Sequence, residues 1–158
     1  MRLLHEPTAG SATMPINYEH SVLVNSTPEQ AFAVIDDLAR TPEWLCVCVS
    51  LEKLSSGPNN VGDRLKYTFK QGGRIGVMDG EITARIPGEK LTYKFDDKMF
   101  QVVIDFNILR TSVGAKMTHV ITITPKTFIG KLMSPLIRLG VPKQTKDAMH
   151  ALKAILDS

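Results

Sequence analysis

The sequence predicts an α+β domain: a curved antiparallel sheet of about seven strands wrapped around one long C-terminal helix, with two short helices after the first strand. Three observations carry this. From Val61 to Thr124 apolar and polar residues alternate between Gly, Pro and Asp turns. From Lys126 to Asp157 the alternation gives way to helical spacing. The turns are too short for parallel crossovers, so neighbouring strands run antiparallel.

Taken in order, residues 1–14 mix Pro7, Gly10, Ser11 and Thr13 without periodicity, and Leu3 and Leu4 are followed at once by His5 and Glu6. They lack a secretory signal's apolar core and are expected to be a disordered leader, or to precede a true start at Met14. The remainder, 15–158, is expected to form one domain. Asn17 to Val24 alternates as a first strand, with Tyr18, His20, Val22 and Val24 on one face. Ser26-Thr27-Pro28-Glu29 is a helix start, with Ser26 or Thr27 as cap, Pro28 in the first turn and Glu29 at the positive dipole end. Thr41-Pro42-Glu43 repeats the signal for a second short helix through Trp44, Leu45 and Val47.

Ser50 to Leu54 is a short strand closed by the turn cluster Ser55 to Asn60. Arg64 to Lys70 follows with Leu65, Tyr67 and Phe69 on one face, and Gln71-Gly72-Gly73 reads as a hairpin turn. Arg74 to Ile86 is next, ended by Pro87-Gly88. Leu91, Tyr93 and Phe95 alternate before Asp96-Asp97. Phe100, Val102, Ile104, Phe106 and Ile108 form the longest inward row, and Met117, His119, Ile121 and Ile123 the last. In the terminal helical segment, Pro135 and the Gly140-Val141-Pro142 step are expected to break or kink the helix near its middle.

Composition excludes several classes. A net charge of +3, with cations spread along the chain, does not argue for nucleic acid. No apolar run approaches the roughly 20 residues that span a bilayer, so no stable membrane insertion is expected. Cys46 and Cys48, one residue apart, read as free buried thiols in a reducing cytoplasm. The four histidines and two cysteines have no metal-ligand spacing, and no nucleophile elbow, phosphate loop or dinucleotide fingerprint occurs. Neither metal nor cofactor is expected.

The candidate site is an interior space. Gly76, Met78, Gly80, Ile82 and Ala84 face inward on one strand opposite Tyr67, Phe69, Tyr93 and Phe95. Small inward residues either bend the sheet or leave volume for a guest. His119 stands alone as a histidine on an inward strand face. It reads either as a polar anchor or acid/base group, or as a core histidine bonded to Tyr67, Tyr93 or a backbone carbonyl. Trp44 reads as lining the cavity mouth or stapling the short helices to the sheet. Ile104, Phe106 and Met149 complete the expected lining.

The segments Ser21 to Trp44 ("SVLVNSTPEQAFAVIDDLARTPEW"), Val61 to Phe69 ("VGDRLKYTF"), Gly80 to Phe95 and Leu132 to Leu156 resemble successive blocks of the START/Bet v 1-like (SRPBCC) superfamily, in its bacterial polyketide cyclase/dehydrase-type branch. The resemblance implies the helix-grip fold over Tyr18 to Ser158. Members include lipid and sterol carriers, hormone receptors, aromatase/cyclases and quinone-binding proteins, with no shared catalytic motif. It implies a hydrophobic or amphipathic guest, such as a lipid, quinone, polyketide or isoprenoid-like compound, held between sheet and terminal helix by a monomer or homodimer. A cyclase or dehydratase moving protons through His119, and a protein-interaction module that survives plugging the cavity by Gly80→Leu, are the rival expectations.

Overall fold

The computed structural model describes residues 15–158. The expected leader, residues 1–14, and the alternative start at Met14 lie outside them. Seven strands form one antiparallel sheet: β1 (Ile16–Val24), β2 (Cys48–Lys53), β3 (Arg64–Gln71), β4 (Arg74–Ile86), β5 (Lys90–Asp96), β6 (Phe100–Arg110) and β7 (Ala115–Pro125). Their order is β1-β7-β6-β5-β4-β3-β2, so β2 to β7 run as a meander and β1 closes against the last strand. The first two strands therefore lie on opposite edges. The chain crosses between them through α1 (Pro28–Asp36), a single 3-10 turn (Leu38–Arg40) and α2 (Thr41–Trp44).

Local chemistry sets these boundaries. Thr27 caps α1 reciprocally with Gln30: its hydroxyl accepts from the Gln30 N–H at 3.2 Å, and Gln30 Oε1 accepts from the Thr27 N–H at 2.9 Å. Gly72 and Gly73 take φ of +59° and +77° at the tip of the β3–β4 hairpin, the positive values that suit a two-residue turn to the strand twist. The second helix is shorter than expected. It ends at Trp44, and Leu45 is already extended, leaving Val47 outside it.

The terminal helix α3 (Phe128–Asp157) continues through Pro135 and Pro142, so of the expected break or kink near its middle there is no break. Each proline removes one N–H from the ladder, depriving the carbonyls of Lys131 and Arg138. Both residues are exposed, so water can replace the lost donors and the helix continues. Thr127 caps it, accepting from the Gly130 N–H at 3.1 Å.

The two halves of α3 differ. From Val141 onward its inward residues Thr145, Ala148, Met149, Leu152 and Leu156 are buried, mainly against β1, with smaller contacts to β7 and α2. They join Val22, Val24, Ala31, Phe32, Ile35, Phe106 and Met117 in the main core. Ile16, Ile121, Ile123 and Val141 form a second cluster. Toward its N-terminus the helix overhangs the sheet with little beneath it.

A bulge between Ile82 and Ala84 ends the strict alternation of β4. Beyond it Arg85 reaches Asp36 at the end of α1 in a two-pronged pair, Nε to Oδ1 at 2.9 Å and Nη2 to Oδ2 at 2.7 Å. Asn59 Nδ2 donates to the same carboxylate at 3.0 Å. Burial alone would raise the Asp36 pKa, but hydrogen bonds from Arg85 and Asn59 and the charges of Arg85 and Lys53 outweigh it and hold the pKa below its ordinary value. The clamp's contribution is thus present above the unfolded carboxyl's pKa of about 4 and lost as pH falls through the folded value. Asp36→Ala should lower unfolding free energy at pH 7 by about 1–3 kcal/mol, since it leaves a half-buried guanidinium unpaired. Urea denaturation should show the gap to the parent narrowing below pH 4.

Candidate functional site

Because α3 lies over β1 and β7, and α1 touches mainly β5 to β7, much of the inner surface of β3 to β6 is left without a helix against it. The space between them is a cavity of about 710 Å3. Its wall is built from inward strand positions (Tyr67, Phe69, Met78, Tyr93, Phe95, Val102, Ile104, His119, Ile121, Ile123), from Thr41, Trp44 and Leu45 around α2, and from one side of α3 between Ile129 and Ala148. The rim is the β3–β4 hairpin tip, Gln71 to Ile75, facing Ile129, Met133 and Leu136.

Seven of the ten expected lining residues reach this space: Tyr67, Phe69, Met78, Tyr93, Phe95, Ile104 and His119. Ile82, Phe106 and Met149 do not; each is fully buried in the core beneath it. Ile82 lies under the Tyr93 register position, Phe106 beneath His119 and Trp44, and Met149 on the packed half of α3. Sequence reasoning missed the contribution of α3 from Ile129 to Gly140. Its helical apolar spacing is visible in the sequence, but spacing does not tell which of those residues border a space.

The glycines on β4 do not leave voids. Register sets Gly76 opposite Phe69 and Gly80 opposite Phe95. A methyl group at Gly76 would overlap the Phe69 ring, and one at Gly80 would overlap both the Phe95 ring and the Lys94 carbonyl. The rings lie flat across the glycines, which is how aromatics shield such positions in sheets. Gly80→Leu would therefore dislodge Phe95 rather than plug the cavity. From there a band of rings crosses the floor: Phe69 to Tyr67 at 5.4 Å, Tyr67 to Phe95 at 5.3 Å, Phe95 to Tyr93 at 5.5 Å, and Tyr93 to Phe106 at 6.5 Å. It ends at His119, stacked on Phe106 at 4.6 Å with planes 8° apart.

His119 is 5% exposed, and neither of its ring nitrogens has a partner among the described residues. The expected bond to Tyr67, Tyr93 or a backbone carbonyl is not made. Burial pushes its pKa down to about 4, with Asp105 opposing and His20, directly across from it on β1, assisting. The imidazole is neutral at pH 7 and carries one donor and one acceptor. The Trp44 indole N–H, also on the cavity wall, is likewise buried without a partner. Trp44 combines both roles read from the sequence, since its ring also meets Phe106 edge-on at 5.7 Å. Burial, with nearby Cys48, raises the Tyr67 and Tyr93 pKa values, so both phenols stay protonated donors. Asp97 is the acidic residue of this wall and lies at its edge, accepting from the Met99 and Phe100 N–H groups at 2.7 Å. Cys48 is buried, with its thiol pushed up to about 11, whereas Cys46 is exposed rather than buried as expected. No cluster of His, Cys, Asp or Glu among the described residues can hold a metal ion.

A seven-stranded sheet gripping a terminal helix over an apolar cavity defines a protein of the START/Bet v 1-like class. Residues 15–157 match the family described as polyketide cyclase/dehydrase and lipid transport, and the chain belongs to that family. Solved structures of the same fold include protein CV1439 from Chromobacterium violaceum, with 18% identity and a TM-score of 0.70 over 90% of this chain and 98% of that one. The di-domain ARO/CYC StfQ of the steffimycin biosynthetic pathway superposes at 16% identity and a TM-score of 0.72, over 90% of this chain and 51% of that one. Ara h 8.0201 does so at 16% identity and a TM-score of 0.68, over 90% and 98%. At these identities the likeness is one of fold. No curated protein matches the sequence.

Two outcomes follow. Gly80→Ala should destabilise the protein by about 1–3 kcal/mol, because Phe95 must leave its place over the glycine; thermal unfolding measures this. Because the folded His119 pKa lies below the unfolded value, the unfolded state takes up the extra proton between pH 6.5 and 4. Stability is thus complete above that window and falls through it. Urea midpoints at pH 7 and 4.5 should show the parent losing about 2 kcal/mol more than His119→Phe.

Proposed function

We propose that the protein binds an apolar small molecule bearing a carbonyl or hydroxyl oxygen, of the lipid, quinone, polyketide or isoprenoid kind, in the cavity between the sheet and α3. One observation carries this reading: a cavity of about 710 Å3 is walled by hydrocarbon and aromatic rings, and on its wall stand Trp44 and His119, whose ring N–H and imidazole nitrogens are buried without partners among the described residues. A volume of several hundred Å3 with a few fixed polar groups is the usual form of a small-molecule site. Each unpartnered buried group costs about 1–3 kcal/mol, which a guest oxygen would recover once the side chains shielding the nitrogens shift to admit it. The phenols of Tyr67 and Tyr93 add two more donors, so the polar complement favours a guest that accepts. Burial of ~300 Å2 of guest hydrocarbon at ~25 cal/mol per Å2 contributes several kcal/mol before ordering costs.

Binding is favoured over proton-transfer catalysis by the state of His119. With a pKa of about 4 it is a weak base at neutral pH, and no carboxylate orients it. A general base works best with a pKa near the operating pH.

Calorimetric titration with 2-methyl-1,4-naphthoquinone and with 2-methylnaphthalene, which share a ring system, separates the polar and apolar contributions. The quinone should bind about tenfold tighter, worth ~1.4 kcal/mol for its hydrogen bonds, and His119→Phe should abolish that preference while leaving naphthalene binding intact. Val102→Trp, which fills the wall, should weaken both. Equal affinity of parent and Val102→Trp for both compounds would refute the cavity as the site. Turnover of a polyketide chain that falls far more than its binding in His119→Phe would replace carriage by catalysis.

A further inference from the structure

The first half of α3 presents an apolar stripe to solvent that the cavity does not absorb. Phe128, Leu132, Leu136 and Leu139 succeed one another at helical spacing and are 64–79% exposed. Across the cavity mouth, Ile75 at the tip of the β3–β4 hairpin is 68% exposed. Leu136 and Ile75 also line the cavity, so its mouth and this patch form one continuous apolar surface. Lys131 and Arg138 flank the stripe, and Lys70 and Arg74 flank Ile75; among the described residues none of the four is in an ion pair. The sequence holds no Asp or Glu between Asp105 and Asp147. Asp97, at the rim, is turned into its own turn.

We propose that this face, the first half of α3 with the hairpin tip, docks on the surface of an anionic lipid bilayer with the cavity mouth turned toward the acyl chains. Exposed leucine and phenylalanine side chains bordered by lysine and arginine are what an interfacial helix needs: apolar groups enter the headgroup boundary while cations meet lipid phosphates. The helix lies on the membrane rather than crossing it, since no helix among the described residues is long and apolar enough to span. Charge selects this occupant over a second copy of the chain. A two-fold interface would bring this face against itself, setting Lys131, Arg138, Lys70 and Arg74 against their own kind with no carboxylate to offset them. That a guest passes directly between bilayer and cavity rests on the function proposed above; the docking does not.

Flotation with phosphatidylcholine vesicles and with mixed phosphatidylcholine/phosphatidylglycerol vesicles tests it. The protein should float with the anionic vesicles at low salt, far less with phosphatidylcholine alone, and less again as salt screens the cations. Leu132→Glu/Leu139→Glu and Lys131→Glu/Arg138→Glu, all at exposed positions outside the cavity lining, should keep the parent's melting temperature and each cut the bound fraction by about tenfold. Absence of flotation by folded protein on either vesicle overturns the proposal. So does equal flotation on both, or a dimer by light scattering that Leu132→Glu/Leu139→Glu dissolves without any vesicle binding. Naphthoquinone affinity in vesicle-free solution should be unchanged in both variants. If quinone binding fails in the parent while flotation holds, the cavity assignment fails and the docking stands.

Discussion

One helix cannot cover seven strands. At about 4.8 Å between neighbours the sheet is roughly 29 Å wide, against a helix about 10 Å across. Curvature narrows the difference without removing it. The chain settles α3 against β1, with lesser contacts to β7 and α2, while α1 touches β5 to β7, and much of the face of β3 to β6 stays without a helical partner. The main core, the cavity and the overhanging start of α3 all follow from that off-centre placement.

The uncovered face is made habitable by its own rings. Phe69 and Phe95 lie across Gly76 and Gly80, so the glycines serve as seats for aromatics rather than as holes. This lets a strand of small residues remain packed while the opposite side of each ring faces the cavity. Beside them Ile82 and Phe106 on the strands, and Met149 on α3, are fully buried and out of the cavity's reach. Core packing and cavity lining thus fall to different side chains on the same strands.

Much of this was legible in the sequence, for definite reasons. Period-two alternation from Arg64 to Thr124 located the strands, and the glycine pair at 72 and 73 located a hairpin tip. Tyr67, Tyr93 and His119 were readable as inward because their neighbours in register are apolar. Depth was not readable. Alternation says which face a residue takes, not whether the space in front of it is filled, so Phe106 and Ile104 looked alike from sequence although one is sealed and one is on the wall. Whether α3 would break at its prolines was unreadable for a related reason: their cost depends on whether water can reach the freed carbonyls, which only the exposure of Lys131 and Arg138 decides. The Asp36–Arg85 clamp was hidden as well, because a bulge redirected Arg85 toward a partner 49 positions away in the chain.

Trp44 is the single tryptophan of the chain, and its indole stands on the wall of the hollow with its N–H unengaged. The molecule therefore carries a built-in optical reporter on the cavity wall. Emission colour and lifetime track the interior rather than the surface, with no label attached and no competing indole to subtract.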